Sequence, residues 1–310
     1  MGGVISGTKS YRFSNDFSVF YSCSSPSNSS LSNSSKSIVV LEGGFGLPGP
    51  ALEHIQNFIA SKSGVKTCVY EPRGTGWSGR GNMYNFQEDA GAMKAVVDSE
   101  INDAGWEEGE VLVFAGGHSR GHLTGTAFFE EFREEYKKVI LVGLDGTSCL
   151  ELGEDMRKYG YAVPFLGAVG GYIRPLWPLL GRMMMAPDGP LPEGLEPDLS
   201  PLAKLRYLEI SADEENLLAM FERSFNWAWK YDGPSYNECT SDPPEGLGLS
   251  MNTQSNEDVT DDQIYVCASC CCTPEFGCAE HTSLITVSHY ANIATDFVGL
   301  AIKEKVEALG

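Results

Sequence analysis

The chain has 310 residues, 42% of them hydrophobic and 21% charged, with 42 acidic against 22 basic side chains and a formal net charge of −20. That length and balance admit a full α/β core built as one domain with an insertion. The acidic excess disfavours nucleic acid and anionic membrane as partners, and no run of about 18 uninterrupted apolar residues is present to cross a bilayer.

The first residues, Met1-Gly2-Gly3-Val4-Ile5-Ser6, lack the charged start and apolar stretch of a secretory signal and fit an N-myristoylation pattern. A single myristoyl chain would anchor the protein only weakly. Nine cysteines, an odd number without a secretion signal, point to reduced thiols and a cytoplasmic location. Tyr11 to Phe13 and Ser18 to Ser22 alternate like the strands of a hairpin, and the Ser/Asn-rich tract from Ser24 to Ser37 has nothing to bury.

Regular structure then begins abruptly. Ile38 to Leu41 is a continuous apolar run of the kind found in a central parallel strand. A helix is expected near Ala51 to Ser61, a strand at Thr67 to Tyr70, and a second helix from Asn85 to Ala104. The apolar strand Val111 to Ala115 leads into Gly117-His118-Ser119-Arg120-Gly121, followed by a helical segment from Leu123 to about Lys137. Strand, Gly-x-Ser-x-Gly and helix together make the pattern of a nucleophile elbow. The turn is so tight that the serine's neighbours two residues away must be nearly without side chains, and the helix presents its N-terminus to any charge that forms there.

Val139 to Leu144 supplies the next strand. Strands separated by helices at this rhythm indicate a parallel sheet with right-handed crossovers. The rhythm stops between about Cys149 and Asp262 and returns with strand signals at Ile264 and at Leu284 to Val287, before a last helix. A cap is therefore expected to interrupt the sheet after the sixth strand. Residues 1–148 and 263–310 would form the two parts of the core, and 149–262 the cap. Apolar residues of that span, among them Trp177, Met183 to Met185, Phe221 and Trp229, would pack on the core or line an apolar pocket. Cys267, Cys270, Cys278 and His281 can be written Cys-x2-Cys-x7-Cys-x2-His, a spacing compatible with zinc. Ile264 to Cys267 nevertheless reads as a buried strand whose faces would divide the ligands, so no metal is expected.

Three motifs, in order and spacing, resemble the α/β-hydrolase superfamily. They are Glu42-Gly43-Gly44-Phe45-Gly46, Tyr70-Glu71-Pro72-Arg73-Gly74-Thr75-Gly76-Trp77-Ser78, and the elbow. The resemblance covers nearly the whole chain and implies a mostly parallel sheet flanked by helices. It also implies a serine hydrolase working through an acyl-enzyme, without a cofactor. Ser119 would be the nucleophile; the superfamily's epoxide hydrolases and haloalkane dehalogenases carry aspartate there. His289, before the final helix, would be the base, with His281 as alternative; His118 and His122 flank the serine and would pack away from it, and His54 lies in the first helix. The acid is open between Asp145, at the tip of the Val139 strand, and Glu275, because Cys272 stands where the superfamily usually places an aspartate. The oxyanion hole would use the backbone N–H groups of Arg120 and of Gly44, or of Phe45 one residue on. Glu42 replaces the usual histidine of this loop and would turn away or pair with Arg73 or Arg120.

The expected activity is that of a carboxylesterase on small or apolar esters. A proline-iminopeptidase-like aminopeptidase is a second reading, with Glu209, Asp213, Glu214 and Glu215 available to hold a free amino terminus. A third is a non-catalytic binding protein that keeps the fold but has lost the acid.

Overall fold

The computed structural model describes residues 8–13, 17–26, 36–44, 49–79, 86–146, 263–266, 272–273, 277–278 and 288–309, with the backbone alone at 8–13, 17, 272–273, 277–278 and 288–289. In chain order the strands are β1 (Thr8–Phe13), β2 (Phe17–Ser24), β3 (Ser37–Glu42), β4 (Lys66–Glu71), β5 (Leu112–His118), β6 (Lys138–Leu144), β7 (Gln263–Val266), β8 (Cys272–Thr273) and β9 (Gly277–Cys278). The α-helices are α1 (Glu53–Ser63), α2 (Phe86–Ala104), α3 (Arg120–Phe132) and α4 (Ser288–Leu309).

Seven strands form one sheet in the order β1-β2-β4-β3-β5-β6-β7. The N-terminal hairpin joins antiparallel, through β1 on β2 and β2 on β4. From β4 to β7 every pairing is parallel. All six residues of β3 and all seven of β5 are buried, as the continuous apolar runs require of strands covered on both faces.

Alternation along these strands divides the core in two. Val39, Leu41, Phe114, Ile140 and Val142 pack with α1 and α4 on one face. Ile38, Val40, Val113, Ala115 and Val139 pack with α2 and α3 on the other. Each fully buried side chain of this size contributes roughly 2 kcal/mol through the area it removes from water. Helix α1 ends where Gly64 takes the left-handed conformation (φ 74°) and donates its N–H to the carbonyl of Ala60 at 3.2 Å.

Sequence and structure differ in three places. Helix α3 begins at Arg120, not Leu123, because the elbow turn feeds straight into it. It stops at Phe132, short of Lys137; Tyr136 lies beyond the helix, yet is buried and stacked on Phe128 (ring centroids 5.8 Å apart). The expectation of reduced thiols fails at one pair: Cys23 of β2 and Cys68 of β4 form a disulfide. The antiparallel register sets them directly opposite each other, a proximity that cysteine number and spacing do not encode. The expected cap (149–262), the strand at Leu284 to Val287, Gly2 and the cluster from Cys267 to His281 lie outside the residues described in full. No helix among the described residues is long and apolar enough to cross a membrane.

Candidate active site

In the order β4-β3-β5 the chain winds from β3 to one side and then to the other, which opens a crevice beyond the carboxyl ends of β3 and β5. Ser119 stands there, between the last residue of β5 and the first of α3. Its backbone has φ 52° and ψ −119°, a conformation that side-chain-bearing residues rarely adopt. Such a residue costs on the order of 1–3 kcal/mol and persists because its surroundings over-determine it. The Ser119 N–H donates to the carbonyl of Leu144 at 3.2 Å, and the Ser119 carbonyl accepts from the N–H of His122 at 3.1 Å.

The elbow glycines are explained by the end of β3. A Cβ placed on Gly117 would lie 2.0 Å from the carbonyl oxygen of Glu42, and one on Gly121 would lie 2.4 Å from it. No side chain fits at either position. Gly44 closes on the serine from the other side, where an added Cβ would come within 2.8 Å of the Ser119 Cβ. Gly44, Ser119 and Arg120 are therefore brought together at one point of the crevice.

Asp145 follows β6, the neighbour of the elbow strand. It has φ 48°, is half-buried, and donates its N–H to the carbonyl of Val266 at 2.6 Å. Serine and aspartate thus terminate adjacent parallel strands, the only two non-glycine residues with positive φ among the described residues. His289 is the second residue of α4. Its side chain, His281, Glu275 and Phe45 lie outside the described residues.

Behind the crevice is a buried ionic cluster. Arg120 pairs with the carboxylate of Glu42 and, at 3.4 Å, with Asp89 of α2. Glu42 also accepts a hydrogen bond from the Tyr70 hydroxyl, which reaches the carbonyl of Asp89 at 3.2 Å. Glu42, Asp89 and Tyr70 are fully buried, and Arg120 is 8% exposed, with the Phe86 ring 5.9 Å from its guanidinium. Burial, followed by the Glu42 and Asp89 carboxylates, pushes the Tyr70 phenol well above its ordinary value, so it keeps its proton and donates. Burial works against the Arg120 charge, but Glu42 and Asp89 outweigh it and raise the guanidinium pKa.

Of the two expected partners for Glu42, the structure selects Arg120; Arg73 pairs with Glu88 at 3.2 Å. Asp89 and Tyr70 were not evident as members. The available signal for Asp89 was an acidic residue on the apolar stripe Phe86, Ala90, Met93 and Val97 of α2.

The second motif serves as scaffold. Glu71, buried at the end of β4, accepts the Trp77 N–H at 2.7 Å, and its carbonyl accepts the Ser78 hydroxyl at 2.5 Å. Ser78 Oγ in turn accepts the N–H of Phe20 at 2.8 Å, which ties the loop to β2.

Three other histidines are described. His54 of α1 hydrogen-bonds Asn292 Oδ1 at 2.9 Å, and His118 is buried. His122 packs against the edge of the Tyr265 ring, and burial lowers its pKa to about 4. Unfolded, the same imidazole takes up its proton near pH 6.5. The unfolded chain therefore binds more protons between the two values, and stability present above about pH 6.5 is lost as pH falls toward 4. The loss is at most about 3 kcal/mol. His122→Phe is expected to flatten this part of the urea-denaturation profile measured from pH 7 to pH 4; an unchanged slope would place the acid sensitivity elsewhere.

No family profile and no curated protein sequence matches the chain. Solved structures do. A candidate acyltransferase from Salmonella enterica superposes with a TM-score of 0.59 over 90% of this chain and 90% of its own, at 13% identity. A candidate α/β-hydrolase from Nostoc sp. PCC 7120 gives 0.52 over 74% and 76%, at 14% identity. The chain has the α/β-hydrolase fold. An epoxide hydrolase variant from Vigna radiata, at TM-score 0.50 and 14% identity over 74% and 76%, shares it. In this fold Ser119, at the junction of β5 and α3, meets Gly44, which follows β3.

Proposed function

We propose that the chain is a serine hydrolase acting through an acyl-enzyme, with small or apolar carboxylic esters as substrates. The observation that supports this best is the backbone of Ser119, a non-glycine residue at positive φ between strand and helix, facing Gly44. In the reaction, Ser119 Oγ attacks the ester carbonyl and its proton passes to His289. The oxyanion accepts the N–H groups of Arg120 and Gly44. The alcohol leaves with the proton from His289, and water then repeats the sequence to release the acid. Asp145 orients His289 on this reading, with Glu275 as the alternative. Residues 149–262 would form the cap over the crevice.

Covalent labelling with a fluorophosphonate probe tests the proposal. The folded protein should label, and peptide mapping should place the adduct on Ser119. Asp145→Asn should slow labelling by up to about 10⁴-fold if Asp145 is the acid. Slowing by Glu275→Gln in its place would transfer that role. A folded protein that does not label would leave the fold with a binding function only. For a protein that labels, turnover of aryl esters but not aminoacyl arylamides would separate an esterase from an aminopeptidase.

A further inference from the structure

Among the described residues, one group of cysteine and carboxylate side chains is close enough to share an ion: Cys23, Cys68 and Glu100, whose donor atoms all lie within 4.8 Å of one another. It sits under the α2 face of the sheet, away from the elbow. We propose that this is a redox-controlled metal site, closed while Cys23 and Cys68 are joined and able to bind zinc as two thiolates and the Glu100 carboxylate once they are reduced. The inference is independent of the activity assigned above.

Three observations carry it. Glu100 is 2% exposed, yet its carboxylate is turned toward the sulfurs. The carboxylate is also positioned on both sides: the Tyr21 hydroxyl donates to Oε1 at 3.0 Å, and Lys66 Nζ pairs with Oε2. A cavity of about 330 Å³, lined by Lys66, Ile38 and Trp106 among others, borders Glu100. Tetrahedral zinc holds sulfur and oxygen donors roughly 3.5 Å apart, inside the 4.8 Å that bounds these three donor atoms. The soft thiolates select zinc over calcium or magnesium.

Charge also balances. With the disulfide closed, Glu100 and Lys66 cancel. With zinc bound, the ion's two positive charges and the Lys66 ammonium cancel two thiolates and one carboxylate. The interior therefore carries no net charge in either state, which limits the cost of burying the ion.

The switch requires a dithiol reductant. Its thiolate attacks the Cys23 sulfur, since Cys68 is fully buried. Cys68 leaves, and the second thiolate of the reductant resolves the mixed disulfide. The products are two protein thiols and an oxidised dithiol. Zinc then displaces the two thiol protons as the metal–sulfur bonds form.

The test uses the full chain, reduced with a water-soluble phosphine that brings no thiol of its own. Alkylation by iodoacetamide is followed cysteine by cysteine with peptide mass mapping, which keeps the cysteines from 267 to 278 separate. Zinc is expected to slow alkylation of Cys23 by about tenfold or more, because the coordinated sulfur is no longer a free thiolate. Glu100→Gln, with both thiols kept, should require about tenfold more zinc or beyond for the same protection. Unchanged Cys23 alkylation in the presence of zinc would overturn the site without recourse to any variant. Equal protection in a folded Glu100→Gln protein would overturn the carboxylate's part in it.

Discussion

Ser119→Gly is expected to yield a protein that is more stable than wild type and inactive. The serine holds φ 52° and ψ −119°, where glycine has no Cβ penalty. Relief of about 1–3 kcal/mol is partly offset by the extra freedom glycine brings to the unfolded chain, leaving a gain of about 1 kcal/mol. Ester turnover should fall by at least about 10³-fold, and by as much as about 10⁶-fold if the nucleophile carries most of the rate. Ser119→Ala keeps the Cβ and hence the strain, so it should match the loss of activity without the gain in stability. Urea denaturation and aryl-ester turnover read the two effects separately. Retained turnover in both variants would refute the mechanism, whereas a less stable glycine variant would show that the turn is not strained.

The second large effect concerns Arg120. Two carboxylates, Glu42 and Asp89, face this one guanidinium in the core, so the cluster carries an excess negative charge. Arg120→Leu leaves both carboxylates buried without a cation and should cost about 3–5 kcal/mol. Glu42→Gln removes the excess charge, keeps the shape, and leaves one carboxylate for one guanidinium. It should cost only about 1 kcal/mol, the net worth of a typical hydrogen bond. The order of these two values is the informative result. Equal costs would mean that packing, not charge, holds the cluster. On the proposed mechanism the Arg120 N–H is an oxyanion donor that, as a backbone group, survives either change, so a loss of kcat in folded Glu42→Gln would point to its displacement.

Much of the architecture was legible because it rests on local patterns. Fully buried parallel strands need continuous apolar runs, and Ile38 to Leu41, Val111 to Ala115 and Val139 to Leu144 supply them. The elbow was legible because Gly117 and Gly121 answer a steric demand that no other residue meets. Pairing of Glu42 with Arg120 followed from the cost of an unpaired buried charge, although Arg73 could not be separated from it by sequence. What was hidden depends on contacts between remote segments. Asp89 reaches Arg120 from α2, the helix packed beside α3 on the same face of the sheet, and Cys23 meets Cys68 through strand register. Neither hydropathy nor spacing carries that information. The helix start at Arg120 was also missed, since the apolar periodicity begins only at Leu123 while the turn geometry acts three residues earlier.

The carboxyl ends of β6 and β7 are fastened to each other. β6 and β7 pair directly, the Asp145 N–H is bonded to Val266, and the Tyr265 hydroxyl is bonded to the carbonyl of Gly146 at 2.9 Å. The last residues of β6 and β7, Leu144 and Val266, therefore lie side by side at the carboxyl edge of the sheet, where the Leu144 carbonyl also accepts the Ser119 N–H. A change that loosens β7 would therefore also shift the end of β6, the backbone that holds the Ser119 N–H, although β7 lies one strand further along the sheet.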